Sequence, residues 1–443
     1  MVKNLNPSHL HNGSNLWEKA QRIIPGGNML LSKNKNLFSP GLWPCYYQEA
    51  NGSEVWDLDG NKYLDFSSNG VGACSLGHKC KVVDDAAVEA IQKGVMSTLN
   101  SPSEVWLAEE LLSINRWADM VRFARTGGEA NALAIRIARA FCKKDKVAIC
   151  GYHGWHDWYL AANISDNSQL NEHLLSGLNP TGVPKALKGS VCPLKYNNFE
   201  DLDKLLDPEI GILKMEVVRS EQPLPGYLEK IRDICNEKSI VLIFDECTSG
   251  FREAYGGIHK KYNVFPDLCM YGKALGNGYA ITAVVGKEKI MRAAETSFIS
   301  STFWTEAIGP SAALATLREM EKQQSWTHLP IKGKQVKEIW DKSSKENGIK
   351  TTINGINALP TFTFNEEDAA GCKTFFTQDM LSQGFLATSL FYPTMAHSQE
   401  DIKLYESAVQ QTFNKLKTIL SSSDDIGAHI IGPRCQPTFE RLA

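Results

Sequence analysis

The spacing of hydrophobic and polar residues changes several times along the chain. Near the N-terminus, Leu16, Ala20 and Ile23 recur at helical spacing. This pattern predicts a helix that begins near Asn15 and ends before Pro25. Between residues 46 and 64 polar and apolar residues alternate around two Asx-Gly turn signals, which predicts short antiparallel strands.

From about residue 80 to 310, helical stretches alternate with short apolar runs. Alternation of this kind predicts βαβ units and an α/β fold with a mainly parallel, buried sheet. The apolar runs are Met120–Phe123, Lys146–Cys150, Ile210–Val217 and Ile240–Phe244. The clearest helical segments are Ala130–Ala140 and Leu228–Glu237.

After about residue 315, Lys-rich helical segments surround an apolar strand, Leu359–Phe364, and an amphipathic helix follows at Ser398–Leu420. This pattern of helical and apolar segments predicts a smaller α+β domain. We therefore expect four parts: an N-terminal segment that joins the small domain, a large domain, the small domain itself and a C-terminal extension without an assigned role. Their predicted bounds are 1–65, 66–315, 316–420 and 421–443.

Composition narrows the class of protein. The 443 residues are 43% hydrophobic and 22% charged, which is ordinary globular usage. The net charge of −3 gives no case for a nucleic acid or an anionic membrane as partner. No apolar run approaches the roughly 18 residues of a membrane helix, and no secretory signal is visible. Eleven scattered Cys residues are typical of reduced thiols, so we expect a cytoplasmic protein.

Two carboxylates follow a strongly apolar run. Five apolar residues, 240–244, lead directly into Asp245 and Glu246. The acids therefore lie at the C-terminal end of a buried strand, where open α/β sheets bind ligands. A Walker B strand is excluded, because no Gly-Lys pair of the chain is followed by Ser or Thr. The alternative is a structural acid that caps a helix or pairs with a lysine.

A single lysine stands in a glycine-rich, apolar segment. Lys273 has three glycines nearby, Gly272, Gly276 and Gly278, and apolar residues between them. Desolvation lowers the pKa of a lysine and makes its neutral amine a nucleophile toward carbonyls. A strand-end lysine whose amine reaches solvent is the alternative.

Two further segments have binding character. Thr126, Gly127 and Gly128 precede a predicted helix, so their N–H groups are suited to one phosphate, although a plain loop explains them equally well. The aromatic segment 151–158 follows a strand and is suited to stacking on a planar ring. Two His and an Asp within that loop have poor geometry for zinc, so a metal site is not favoured.

These four features are the glycine turn for a phosphate, the aromatic segment, the strand-end acid and the desolvated lysine. Together they are what pyridoxal 5′-phosphate needs from a binding site. The sequence also resembles the class III (ω-type) pyridoxal-phosphate aminotransferases of fold type I, and most closely their glutamate-1-semialdehyde 2,1-aminomutase branch. The resemblance runs from about residue 16 to 420. It rests on ordered motifs: AQRIIPGG, VWDLDGNKYLDF, LGH, GGEAN, GYHG, LIFDE, PDL, GKALGNG and AHSQEDI.

The resemblance implies a seven-stranded-type sheet and specific residue roles. Lys273 would form the Schiff base and move the proton, and Asp245 would pair with the ring nitrogen. Tyr152 and Cys247 would pack on the two ring faces. The phosphate would be bound by Thr126, Gly127 and Gly128, and by Thr302 of the neighbouring subunit in a homodimer. Glu129, His153 and Glu216 match positions that line the site.

Three departures separate the chain from the aminomutases. The stretch 28–32 lacks the arginine that they carry there, and 391–395 lacks their glutamate. Segment 301–307 carries the bulky Trp304 and the anionic Glu306, which are unsuited to binding an acidic substrate. We therefore expect an aminotransferase with a small aldehyde or keto-sugar-like acceptor. Glutamate is a candidate donor, with Arg219 to hold its carboxylate unless that arginine is merely a surface residue.

Two alternatives to this function stay open. One is an aminomutase, which transfers the amine within one molecule. The other is a non-catalytic binding protein with the same fold, which the presence of both Lys273 and Asp245 disfavours.

Overall fold

The structure is a computed structural model that describes residues 11–166, 168–171, 173, 176–218, 220–422 and 425–436. The chain forms two compact units, one of residues 1–80 and 328–443, the other of residues 81–327. Both divisions lie beyond the predicted ones at 65 and 315. Residues beyond the predicted bounds bond within their unit: Met395 N donates to Ser75 O at 2.8 Å in the first unit, and Tyr255 OH donates to Leu317 O at 3.1 Å in the second.

Strands and helices alternate through most of the chain. The strands are β1 Tyr47–Asn51, β2 Glu54–Asp57, β3 Lys62–Phe66, β4 Met120–Ala124, β5 Lys146–Cys150, β6 Val191–Pro193, β7 Ile210–Glu216, β8 Val241–Glu246, β9 Leu268–Tyr271, β10 Thr282–Gly286, β11 Thr351–Asn354, β12 Thr361–Phe364 and β13 Phe385–Ala387. The α-helices are α1 His11–Ile23, α2 Lys81–Lys93, α3 Ser103–Ile114, α4 Gly127–Cys142, α5 Asp157–Leu160, α6 Tyr227–Glu237, α7 Glu288–Met291, α8 Ile308–Gln323, α9 Ser325–Asn347, α10 Ala369–Ser382 and α11 Gln399–Ser421.

The second unit is built on a seven-stranded sheet in the order β4-β10-β9-β8-β7-β5-β6. β10 runs antiparallel to both of its neighbours, and the other pairs are parallel. β7, β8 and β10 are buried at every position, as expected for strands covered on both faces. The predicted mainly parallel α/β sheet is therefore present, and six of its strands end at the same edge.

Helix α4 supplies much of the core on one face of this sheet. Its buried residues include Leu133, Ala134 and Ile137, which recur at i, i+1 and i+4 and give it one apolar stripe. They belong to one cluster with Ile243 of β8 and Met270 of β9. Burial of this stripe fixes the N-terminus of α4 close to the end of β4.

The first unit has a separate, aromatic core. Its main sheet has the order β1-β2-β3-β13, and β11 pairs with β12 as a hairpin. Phe66 of β3 stacks on Tyr405 of α11 with ring centroids 4.3 Å apart. The hydroxyl of Tyr405 accepts a hydrogen bond of 2.9 Å from the indole N–H of Trp340. The part of the extension from residue 425 to 436 packs here too, since Cys435 N donates to Thr374 Oγ1 at 2.8 Å.

Helix α1 exists as predicted, but a different face of it is buried. Gly13, Trp17 and Ala20 are buried, whereas Leu16 is 40% exposed and Ile23 is 67% exposed. The large ring of Trp17 offers more apolar surface than Leu16, and its burial turns the helix by one position. Within the described ranges, no helix is long and apolar enough to cross a membrane.

Candidate active site

The predicted site residues of the second unit follow strands that end at one edge of its sheet. Because β4, β5, β7, β8 and β9 point the same way, the segments after them meet there. These segments carry Thr126–Gly128 after β4, Tyr152 after β5, Glu216 in β7, Asp245 in β8 and Lys273 after β9.

The turn before α4 is a capped helix N-terminus. Thr126 is the N-cap, and Glu129 accepts hydrogen bonds through Oε2 from the N–H groups of Arg125, at 3.0 Å, and Thr126, at 2.9 Å. Burial opposes ionisation of Glu129, but these hydrogen bonds lower its pKa below the ordinary value. A Cβ on Gly128 would lie 2.9 Å from the His156 ring, so a larger residue here would displace that ring. The turn presents N–H groups suited to an anion.

Asp245 is a buried carboxylate held in its ionised form. It is 4% exposed, and its Oδ1 accepts a hydrogen bond of 3.1 Å from Cys247 N. Its Oδ2 lies 2.9 Å from His153 Nδ1 and 3.9 Å from Lys214 Nζ. Burial alone would raise the pKa of Asp245, but the charge of Lys214 and the hydrogen bond with His153 outweigh it and lower that pKa.

His153 supports this carboxylate as a neutral imidazole. Complete burial lowers the pKa of His153 to about 4, despite the neighbouring Asp245. A neutral ring with its proton on Nδ1 donates to Asp245. Nε2 has no hydrogen-bond partner in the part of the chain that is described, and the ring stacks on Trp158 with centroids 6.3 Å apart. The imidazole therefore orients Asp245 without adding charge.

Lys273 lies in a strained turn directly after β9. Its φ of +45° is in the left-handed region, which costs a non-glycine residue of order 1 kcal/mol. Its Nζ donates a hydrogen bond of 2.8 Å to Thr248 Oγ1. Thr248 is buried, so the hydroxyl holds the amine in a defined direction. Strain of this kind is typical of functional sites.

The thiol of Cys247 joins the three parts of the site. A Cβ on Gly127 would lie 4.0 Å from Cys247 Sγ, and a Cβ on Gly272 would lie 3.3 Å from it. Burial, followed by the charge of Asp245, raises the pKa of Cys247 well above its ordinary value, so the thiol is neutral. The glycine turn, the buried acid and the lysine thus converge, and this set fits a phosphorylated pyridine aldehyde.

Tyr152 and Glu216 are linked at the neighbouring strand ends. Tyr152 N donates a hydrogen bond of 3.0 Å to Glu216 Oε2, and a Cβ on Gly151 would lie 2.8 Å from the same oxygen. A cavity of about 430 Å³ opens beside them and is lined in part by His173 and Tyr196. Glu216 therefore fixes the backbone that carries the aromatic ring.

In segment 301–307, the carboxylate of Glu306 is already bound by other groups of the protein. Thr302 is exposed. Glu306 Oε1 lies 2.8 Å from Arg125 Nε, and its two oxygens also accept from the N–H groups of Ile308, at 2.6 Å, and Gly309, at 2.9 Å. The backbone oxygen of Trp304 accepts a hydrogen bond of 2.9 Å from Arg125 Nη2. Glu306 is thus neutralised by Arg125 and caps α8.

Two residues near the site were not singled out by the sequence analysis, and one predicted residue is not placed. Lys214 lies beside Asp245, and its signal was present as the one lysine within the largely apolar run of β7. Thr248 carries no signal of its own, because only the fold brings it to Lys273. Arg219, the predicted partner of the donor carboxylate, lies outside the described residues.

Comparisons with known proteins show the family of the chain. Residues 39–433 match the family described as Aminotransferase class-III. The chain is 31% identical to a 3-aminobutyryl-CoA aminotransferase of Cloacimonas acidaminovorans, covering 91% of this chain and 97% of that protein. It is 32% identical to a glutamate-1-semialdehyde 2,1-aminomutase of Desulforamulus reducens, covering 91% and 96%.

Solved structures share the fold. The FumI protein of Sphingopyxis sp. MTA144, whose structure is the pyridoxal-phosphate internal aldimine form, superposes with a TM-score of 0.84 at 24% identity. The alignment covers 94% of this chain and 99% of FumI. The likeness to FumI confirms the predicted fold, and the family match with the two relatives confirms the predicted family.

Proposed function

We propose, from the premise that this chain belongs to the class-III aminotransferase family, that it moves an amino group from a donor to a small carbonyl acceptor. The family's cofactor is pyridoxal 5′-phosphate, as predicted. The observation that carries the proposal is the convergence of Lys273, Asp245 and the glycine turn 127–128 around Cys247.

Several residues would hold the cofactor. When bound, pyridoxal phosphate supplies an aldehyde for amines and a ring that withdraws electrons from the substrate carbon. The N–H groups of Gly127 and Gly128, with Thr126, would bind its phosphate. The ionised Asp245 would pair with its ring nitrogen. Tyr152 and Cys247 would pack on the two ring faces. Glu129, His153 and Glu216 hold these groups in place, as their hydrogen bonds indicate.

Lys273 would act on both the cofactor and the substrate. Its Nζ is the amine that binds the aldehyde, and Thr248 Oγ1 orients it. Nζ would also take the proton from the substrate carbon, hold it and move it within the site as a general base and acid. The strained backbone of Lys273 and the buried Thr248 keep the amine within a narrow range of positions.

The choice of aminotransferase over aminomutase is supported by sequence departures from the mutases. Segment 28–32 contains no arginine, and Met29 in it is 90% exposed. The 3-aminobutyryl-CoA relative is named an aminotransferase. An intramolecular 2,1-aminomutase is the second candidate, favoured by the relatives that carry that name. Formation of product from one substrate, without consumption of a donor, would favour the mutase.

The substrates are the least constrained part of the proposal. We propose a small aldehyde or keto-sugar-like carbonyl compound as acceptor. Because Arg125 neutralises Glu306, the bulk of Trp304 is the main support for excluding a large acidic acceptor. Glutamate is the proposed donor, with Arg219 binding its carboxylate on the basis of sequence alone. An unchanged donor KM in Arg219→Ala would remove that role.

We further propose that the enzyme is a cytoplasmic homodimer with shared active sites. Phe298 is 88% exposed and Phe303 is 68% exposed, close in sequence to Thr302, and exposed apolar groups of this size are typical of contact surfaces. A second copy covering them would bring its Thr302 to the partner's phosphate. Within the described residues, none of the eleven cysteines forms a disulfide, which is typical of a reducing compartment.

The proposal is tested by trapping the lysine and by screening acceptors. Borohydride should fix cofactor on Lys273 of the wild type, as read by peptide mass, and Lys273→Ala should carry none. Lys289→Ala, at an exposed lysine, is the matched control. Enzyme loaded with pyridoxamine 5′-phosphate is then mixed with carbonyl compounds, and those that restore the visible absorbance are acceptors. Fixation of the cofactor on a lysine other than Lys273 would contradict the proposal. So would the failure of every carbonyl compound to act as acceptor and of every amine to act as donor.

A further inference from the structure

A lysine lies buried beneath the carboxylate that is proposed to hold the cofactor. Lys214 is in the middle of β7, on the face of the sheet that carries Glu216, and Glu216 pairs in register with Asp245 of β8. Lys214 is 0% exposed. Its Nζ donates a hydrogen bond of 2.7 Å to the thioether of Met270 and lies 3.9 Å from Asp245 Oδ2.

The position is otherwise one for an apolar side chain. Its neighbours on that face, Ile212 of β7, Ile243 of β8 and Leu268 of β9, belong to the apolar cluster under α4. A lysine here cannot be satisfied by water. A buried ammonium persists only when a carboxylate compensates its charge. Asp245 is a carboxylate within ion-pair distance of Lys214, so the two charges depend on each other.

Other ionisable groups around Lys214 change this balance little. The nearby Cys247 and Cys269 are neutral thiols, because burial raises the pKa of both well above the ordinary value. Glu216 lies further along the same strand and is held by Tyr152 N. Burial lowers the pKa of Lys214, whereas Asp245 opposes that change. With His153 neutral, Lys214 and Asp245 form a pair with no net charge.

A ring nitrogen that carries a proton would add a second cation to this pair. Two positive groups would then share one buried carboxylate, and in a poorly solvated site their repulsion is weakly screened. As long as Lys214 stays an ammonium, its charge competes with the ring for Asp245, and the ring nitrogen holds its proton less strongly.

We propose that Lys214 is a positioning residue that weakens the pairing between Asp245 and the ring nitrogen of pyridoxal phosphate. The proposal rests on the proposed function and refines it. Its consequence is a ring that withdraws fewer electrons than the acid alone would allow. The lysine would also keep Asp245 ionised and oriented before cofactor binds.

The test compares the cofactor with an analogue in which C–H replaces the ring nitrogen. We expect wild-type enzyme to bind the two with similar dissociation constants. Lys214→Met, which keeps the length of the side chain and removes its charge, should favour pyridoxal phosphate over the analogue by about tenfold or more relative to the wild type. Lys144→Met is the matched control, since the Lys144 amine bonds to Ile210 O at the opposite end of β7.

A spectroscopic readout separates charge from packing. With cofactor labelled with ¹⁵N in the ring, the nitrogen resonance should move toward the pyridinium position in Lys214→Met and not in Lys144→Met. Lys214→Gln, which keeps a donor for Met270, should move it in the same direction and serves if the Met variant does not fold. If Lys214 were merely structural, its replacement would change thermal stability without moving the ¹⁵N resonance.

Three results are distinguishable. The role of Lys214 would be overturned if wild type, Lys214→Met and Lys214→Gln had the same ratio of affinities for the cofactor and its analogue and the same ¹⁵N shift. That result would leave the proposed function intact. A wild-type resonance already at the pyridinium position at neutral pH would also overturn it, even if neither variant folds. Failure of borohydride to fix cofactor on Lys273 of the wild type would overturn the proposed function, and this inference with it.

Discussion

The amine of Lys273 donates a hydrogen bond of 2.8 Å to the hydroxyl of Thr248. Twenty-five residues separate the two in sequence, and the side chains meet because β8 and β9 are adjacent and parallel. Thr248 therefore orients the amine that we propose to be reactive.

Removing this hydroxyl should slow the reaction without preventing cofactor binding. Thr248→Val keeps the shape of the side chain and loses one hydrogen bond, worth about 1 kcal/mol, so we expect kcat to fall by up to roughly tenfold. Thr248→Ser retains the hydroxyl and should stay near wild type. Steady-state kinetics with cofactor in excess measures both. Equal kcat values for the Val and Ser variants would show that the hydrogen bond is not used.

The capping box of α4 should govern phosphate affinity. Glu129→Ala leaves the N–H groups of Arg125 and Thr126 without their acceptor, which destabilises the helix start by about 1 kcal/mol. We expect several-fold weaker binding of pyridoxal phosphate and little change for pyridoxal, which lacks the phosphate. Glu129→Gln keeps an acceptor and is the matched variant. Equal weakening of both ligands would place the effect elsewhere than at the phosphate.

His153 should make the second unit less stable in acid. Its pKa is about 4 when folded and 6.5 in the unfolded chain, so only the unfolded chain takes up this proton between those values. Stability is therefore retained above pH 6.5 and falls as the pH drops toward 4, by about 1.4 kcal/mol per pH unit.

The pH dependence of the thermal unfolding midpoint checks this. His153→Gln should show a shallower fall between pH 6.5 and 4 than the wild type. His397, in the other unit, contributes in both proteins alike. Leu133→Ala, buried in the same core as the His153 loop, should lower the midpoint by a similar amount at every pH. Parallel curves for wild type and His153→Gln would contradict the prediction.

Glu306 should stabilise the fold and not select the acceptor. Glu306→Ala leaves the mostly buried Arg125 without its ion pair and removes the cap of α8, so we expect a loss of about 3 kcal/mol. Glu321→Ala, at an exposed position of the same helix, should change stability by less than about 0.5 kcal/mol. Thermal unfolding measures both variants. A changed ratio of rates with acidic and neutral carbonyl compounds would instead assign Glu306 to the substrate.

Much of the fold and of the candidate site follows from local sequence. The bounds of β5 are those of the apolar run that predicted it, and the Gly-Gly segment does open α4. Asp245 and Lys273 were identified from an acid after a buried run and a lysine among glycines. Such features are readable because hydrophobic periodicity and turn chemistry involve residues that are neighbours in sequence.

Tertiary structure decided the features that depend on sequence-distant partners. Periodicity placed Leu16 and Ile23 on one face of α1, yet the fold buries Trp17, because the core has room for the larger ring. A charge count cannot reveal that Glu306 is neutralised by Arg125 or that Lys214 lies beside Asp245. The sequence by itself determined which groups stand at the ends of buried strands. Which charges compensate one another was decided by strand order and packing, since a Coulomb interaction depends on distance in space and not along the chain.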